Sequence, residues 1–141
     1  MIEVTERFGG RMVSVVKSLQ RLRAAGLQLA VDDVGTGNSG LEMLQQVNAE
    51  FVKLDRSVVV AAMTEPGARA VMLAMATFAN ETGAFVIAEG IEDVETLAFL
   101  RLLEDDMANV RPRIHGGQGY GLGRPDHAMP ASATDLLVAP A

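Results

Sequence analysis

The sequence predicts an α/β domain in which parallel strands alternate with helices. Three observations carry that expectation. Short β-rich apolar runs recur along the chain, segments with apolar residues at helical spacing separate them, and the runs themselves are apolar almost throughout. Strand–helix alternation argues for parallel pairing with helices packed outside. Near-continuous apolarity is what strands buried on both faces show. Two architectures fit: a piece of a βα barrel, and a small doubly wound sheet. A complete barrel is excluded, because 141 residues fall well short of the ~250 that one typically needs.

The elements follow in order. Ile2 to Thr5 is a short β-rich run. Met12, Val15, Val16, Leu19 and Leu22 recur at three- and four-residue steps and so share one helix face. Gly26 suits the left-handed residue that ends such a helix. Leu27 to Val31 is a second strand running into Asp32-Asp33 and the Gly-rich loop Gly35-Thr36-Gly37-Asn38. Ser39-Gly40-Leu41-Glu42 has capping-box spacing and starts a short helix with Leu41, Leu44 and Val47. Phe51 to Asp55 is a third strand. Pro66 suits a helix's first turn, and Val71, Met72, Met75 and Phe78 form the apolar face of that helix up to Gly83. Ala84 to Ala88 is a fourth strand, ending in Glu89-Gly90. Val94, Leu97, Ala98 and Leu100 mark another helix. After the polar stretch 104–113, Ile114 to Tyr120 is a fifth, Gly-rich strand. The last residues, 126–141, read as a loosely ordered Ala/Pro-rich tail.

Composition narrows the function. The chain is 49% hydrophobic and 21% charged, an ordinary globular balance. It has no cysteine, which excludes disulfides, zinc–thiolate sites and cysteine nucleophiles. A net charge of −6 gives no general attraction to a nucleic acid polymer or an anionic membrane. No apolar run approaches the ~18 residues of a membrane span. The first residues lack a basic segment followed by an apolar one, so a cytoplasmic location is expected.

Polar residues gather at one end of the strands. Glu3 and Glu6 lie in and just after the first, Asp32 and Asp33 end the second, Lys53 and Asp55 lie in the third, Glu89 ends the fourth and Gln118 lies in the fifth. Parallel βα folds point the C-terminal ends of their strands at one face, where active sites are built. A single carboxylate there is most simply a helix cap. Five successive strands placing acids, a lysine and a glutamine on one rim are better explained by a site. Clustered carboxylates repel one another unless a cation sits among them. Hard oxygen donors without His or Cys favour Mg²⁺ or Mn²⁺. A divalent-metal site with a nearby lysine suits phosphoester hydrolysis. The alternation in Phe51 to Asp55 puts Phe51, Lys53 and Asp55 on one face, and an inward Lys53 needs acids beside it. His115 and His127 lack a second histidine at metal spacing and read as solvent-exposed. The methionines read as gap-filling core. Glu92 reads as structural, and Arg111 and Arg113 as solvated loop residues.

Taken in order, Glu3-Val4-Thr5-Glu6, Asp32-Asp33-Val34-Gly35-Thr36-Gly37, Val52-Lys53-Leu54-Asp55, Ile87-Ala88-Glu89-Gly90-Ile91-Glu92 and Gln118-Gly119-Tyr120 resemble the EAL domain family. These are the cyclic di-GMP phosphodiesterases of bacterial signalling. The resemblance covers residues 1–125 and implies the C-terminal portion of a modified (βα) TIM-like barrel, about five of its eight strands with outer helices. It implies metal-dependent hydrolysis of cyclic di-GMP to the linear dinucleotide, with Mg²⁺ or Mn²⁺. By position, Glu3 resembles a metal ligand, Asp32 the carboxylate bridging two metals, and Asp33 a ligand of the second. Lys53 resembles the residue that holds and polarises the attacking water. Glu89 resembles a further acid in the metal and water network, and Gln118 a residue lining the substrate site. Glu6 resembles the glutamate that steadies the loop Gly35 to Gly40, a loop tied in the family to metal binding and dimer contacts.

The departures matter too. The Glu-Ala-Leu signature and a metal-binding Asn of the family are not among these residues, and Val34, Asn38 and Gly40 stand where the family usually has Phe, Tyr and Ser. Whether the chain is itself an enzyme is thus open. The expectation is a truncated phosphodiesterase domain, inactive alone, binding its metal weakly and completed by a second copy or by an N-terminal barrel segment. The alternative is a non-catalytic relic that binds cyclic di-GMP or a protein. A phospho-receiver also uses an acidic pair, an Asp and a Lys, but its Lys follows the last strand. Here the only lysines are Lys17 and Lys53.

Overall fold

The computed structural model describes residues 1–5, 12–37, 40–106 and 112–124. Its elements run β1 (Ile2–Thr5), α1 (Met12–Ala24), β2 (Leu29–Val34), α2 (Gly40–Val47), β3 (Phe51–Leu54), α3 (Arg56–Thr64), α4 (Pro66–Glu81), β4 (Phe85–Glu89), α5 (Val94–Asp106) and β5 (Gly116–Gln118). All five strands are parallel and lie side by side in chain order. That order decides between the two architectures. Right-handed crossovers repeated in one direction lay every helix on the same side of the sheet, whereas a doubly wound sheet reverses its strand order. The sheet is a five-strand portion of a βα barrel wall.

The two faces of the sheet differ. Val4, Val31, Val52, Leu54, Val86 and Ala88 point at the helices and are no more than 5% exposed. On the opposite face Glu3 and Phe85 are exposed, and Phe51 and Ile87 are half-buried. Ala30 and Lys53 on that face are 0% and 5% exposed, so the expected burial on both faces holds at the middle of the sheet and gives way at Glu3 and Phe85. At the amino ends of the strands, the rings of Phe51 and Phe85 lie 5.9 Å apart and that of His115 lies 4.8 Å from Phe85.

Several boundaries depart from expectation for identifiable reasons. β3 stops at Leu54, because Asp55 is the N-cap of α3: its Oδ1 accepts from the Ser57 N–H at 2.7 Å. That short helix is not marked by the spacing of the apolar residues. In α4, which opens on Pro66, the buried stripe is Met72, Met75, Ala76 and Ala79, and Val71 is 51% exposed. Val71 lies about 100° around the axis from Met72, which turns it off the stripe. In α5, Val94 is 66% exposed, while Leu100 and Thr96 are buried; the Thr96 N–H donates to Asp93 Oδ1 at 2.7 Å. Gly26 and Gly83 close α1 and α4 at φ +82° and +80°. Met43, Met72 and Met75 are buried. β5 is shorter than the expected run from Ile114 to Tyr120. Residues 107–111 of the 104–113 stretch, and the tail 126–141, lie outside the described residues. Among the described residues, no helix is long and apolar enough to cross a membrane.

Candidate metal centre

The acids come together because β2 breaks its register. Val31 pairs with Val52 and Val34 with Leu54, so three steps of β2 face two of β3. The additional residue falls within Asp32-Asp33. In an unbroken strand these neighbours would point to opposite faces. Asp33 instead takes φ +57°, a left-handed conformation that Asp adopts more readily than most side chains. Such a bulge re-aims a side chain next to a site. One carboxylate oxygen from each of Asp32, Asp33 and Glu89 lies within 4.8 Å of the other two. The loop that follows is anchored to the same turn: Thr36 donates to Asp33 O through its N–H (3.3 Å) and its hydroxyl (3.0 Å).

Lys53 occupies the strand between these acids. It is 5% exposed, and its Nζ lies 2.7 Å from Glu89 Oε1, 2.9 Å from Asp32 Oδ1 and 3.4 Å from Glu3 Oε1. Burial alone would push this ammonium down, but the hydrogen bonds and charges of Glu89 and Asp32 outweigh it and hold the group well above the ordinary lysine range. Glu89 is shifted up. Its burial is the largest cause, and the charges of Asp32 and Asp33 add to it, while Lys53 offsets only part. Four carboxylates (Glu3, Asp32, Asp33, Glu89) face one ammonium. Four negative charges less one positive leave a formal surplus of three when all are ionised, the situation a divalent cation relieves.

The remaining expected residues fall in different places. Glu3 approaches Lys53 but stands outside the carboxylate triplet, with its side chain 44% exposed. Gln118 pairs in register with Glu89, which puts it on the same rim. Asp55 is occupied as a helix cap. Glu6 lies outside the described residues, as do Asn38, Ser39, Arg111 and His127. His115 is exposed, and its Nδ1 accepts from the Val86 N–H at 2.9 Å. Arg113 donates its backbone N–H to Asn80 Oδ1. Glu92 is bound to Arg56 at 2.7 Å, a contact that residue spacing gives no hint of.

The family model described as EAL domain matches residues 1–109. Over 137 residues the chain is 35% identical to the cyclic di-GMP phosphodiesterase PA2567 of Pseudomonas aeruginosa, covering 96% of this chain and 22% of that protein. Among solved structures it is similar to the EAL domain of Mycobacterium smegmatis DcpA, with a TM-score of 0.68 and 30% identity, covering 87% of this chain and 52% of the other. It is also similar to the Bacillus subtilis YkuI protein, which has an EAL domain and was solved with c-di-GMP and calcium. There the TM-score is 0.69 at 25% identity, covering 90% of this chain and 28% of the other. The chain thus spans only a part of each relative's length.

Proposed function

The chain belongs to the EAL domain family, and on that footing we propose that it carries part of the catalytic rim of a cyclic di-GMP phosphodiesterase. The observation that carries this reading is Lys53, buried and ion-paired to Asp32 and Glu89 beside a third carboxylate, Asp33. The donor set fits Mg²⁺ or Mn²⁺, because it is made of hard carboxylate oxygens without sulfur or imidazole. Asp32, Asp33 and Glu89 would hold the ion, and Glu3 would add to them from the edge strand. When bound, such an ion lowers the pKa of a coordinated water and steadies the leaving oxygen. Lys53, held as a cation, donates a hydrogen bond to the oxygen of the attacking water and orients it. A cation cannot take that water's proton, so the proton passes to a carboxylate of the cluster. Water adds to phosphorus as the bond from phosphorus to the ribose oxygen breaks, that oxygen takes up the proton from the carboxylate that received it, and the linear dinucleotide leaves. Gln118, beside Glu89 on the rim, lines the bound nucleotide.

A second reading is favoured by Glu3, which is 44% exposed and stands outside the triplet. A ligand held that loosely suits a surface that binds cyclic di-GMP without cleaving it. The test mixes purified chain with Mn²⁺ and cyclic di-GMP and follows bound and linear nucleotide by chromatography. Metal-dependent binding that Asp32→Asn abolishes is the expected result. Absence of any metal-dependent binding overturns both readings. The readings separate once the chain is joined to the amino-terminal strands of an EAL domain relative: linear product from that completed barrel, abolished by Asp32→Asn, marks the phosphodiesterase, and binding without product there marks the binding module.

A further inference from the structure

The chain leaving β4 is gripped from two sides. Ile91, two residues after Glu89, is 2% exposed. Its N–H donates to Gln118 O at 3.1 Å, and its carbonyl accepts from the Gly121 N–H at 2.8 Å. The strand beside it is cut away to admit it. A Cβ on Gly119 would lie 2.2 Å from Ile91 O and 2.3 Å from Ile91 N. A Cβ on Gly117 would lie 2.3 Å from Ile91 Cδ1, and one on Gly121 2.7 Å from the carbonyl carbon of Glu92. Gly116, in the same strand, has nothing within 4 Å. Three alternate glycines thus form a trench, Gly119 and Gly121 for the Ile91–Glu92 backbone and Gly117 for the Ile91 side chain. On the other side, Gly90 stands at φ +69° with the stem of Arg56 against it, where a Cβ would come 2.3 Å from Arg56 Cβ and Cγ. The Arg56 guanidinium then reaches Glu92 at 2.7 Å.

An exposed ion pair such as Arg56–Glu92 adds little to stability, so its consequence is geometric. We infer that Arg56 and Ile91 are positioning residues: together with the Gly117, Gly119 and Gly121 trench they fix the Gly90–Ile91 turn, and through it the Glu89 carboxylate against Lys53. The consequence for metal binding rests on the function proposed above; the clasp itself does not. A flank of this kind acts as groups behind metal ligands do, by holding the ligand's orientation.

The test uses the full chain with Arg56→Ala, Arg56→Lys, Gly119→Ala and Gly116→Ala. One readout is the Lys53 ammonium 1H–15N signal in metal-free protein, visible while its protons are held by Asp32 and Glu89. The second is affinity for Mn²⁺ alone, with circular dichroism as the check on folding. Gly116→Ala is expected to match the parent. Arg56→Ala and Gly119→Ala are expected to lose the Lys53 signal and to weaken Mn²⁺ binding about tenfold with secondary structure intact. Arg56→Lys keeps a stem over Gly90 and a charge for Glu92, and is expected to restore most of both. If Gly119→Ala does not fold, the Arg56 variants decide. Parent-like signal and affinity in Arg56→Ala overturn the clasp. If the parent chain binds no Mn²⁺, the metal reading fails, and the Lys53 signal still decides the clasp.

Discussion

Asp32 and Asp33 are chain neighbours, yet both carboxylates reach the group that includes Glu89, because Asp33 sits at φ +57° inside a break in the β2–β3 register. This relationship separates the charge of Asp33 from its backbone. Asn also adopts the left-handed region readily, whereas a β-branched residue does not. Asp33→Asn is therefore expected to fold as the parent does and to bind Mn²⁺ more weakly. Asp33→Val is expected to lose about 1–3 kcal/mol from backbone strain. Urea unfolding and metal titration of the two variants separate these effects.

Lys53 faces the acids from within the sheet and is 5% exposed. Lys53→Met keeps much of the stem and removes the charge. Taking one partner from a buried ion pair leaves the others uncompensated, at a cost of about 3 kcal/mol. Asp32 and Glu89 would then repel each other without a cation between them. The expected outcome is a fall of that size in unfolding free energy, measured in urea without metal. An unchanged midpoint would show that the ion pairs add nothing to stability.

Gly35 ties the loop after Asp33 to α3. It stands at φ +99°, and a Cβ there would lie 2.5 Å from Val58 Cγ2. Gly35→Ala is expected to cost roughly 1–3 kcal/mol, because it meets both a strained backbone and a buried neighbour. Adding Val58→Ala relieves the contact and leaves the strain. The double variant should thus lose less than the sum of the two single losses, a coupling that a thermodynamic cycle measures.

Much of this fold is legible in residue order, and the residues that escape notice share a cause. Apolar runs mark β1 to β4, because a strand packed on helices must be apolar on at least one side. The rim is legible because Asp32, Asp33 and Glu89 lie at or next to the carboxyl ends of their strands. α3 escapes because its signal is a single side chain: Asp55 continues the strand's alternation and yet caps the next helix. The bulge at Asp32-Asp33 escapes because spacing assigns neighbours to opposite faces, and only the tolerance of Asp for positive φ points otherwise. Strand order, and with it the choice of a barrel wall over a doubly wound sheet, depends on pairings between distant segments. No local pattern encodes those. The Arg56–Glu92 bridge joins α3 to the β4–α5 turn and has the same long-range origin.

The last prediction concerns acid stability away from the rim. Glu50 binds Arg23 of α1 through Oε1, while its Oε2 accepts from the Leu29 N–H at 2.9 Å, so it joins the end of one helix to the start of β2. Partial burial would push its carboxyl up. The Leu29 N–H and the Arg23 guanidinium outweigh that and hold it below the ordinary glutamate value of 4.5. A carboxyl that binds its proton less readily when folded stabilises the fold where it is ionised in both states, above its unfolded value. That contribution is present at neutral pH and is lost as pH falls through the depressed folded value. Glu50→Gln keeps an acceptor for Leu29 and removes the charge. Its unfolding free energy is expected to be lower than the parent's at pH 7, with the gap closing below about pH 4. Both side chains are about one-third exposed, so solvent screens the pair and the gap at pH 7 is expected to be small. Urea unfolding of parent and variant from pH 7 down to acid measures it, and a gap that widens with acid would contradict the assignment.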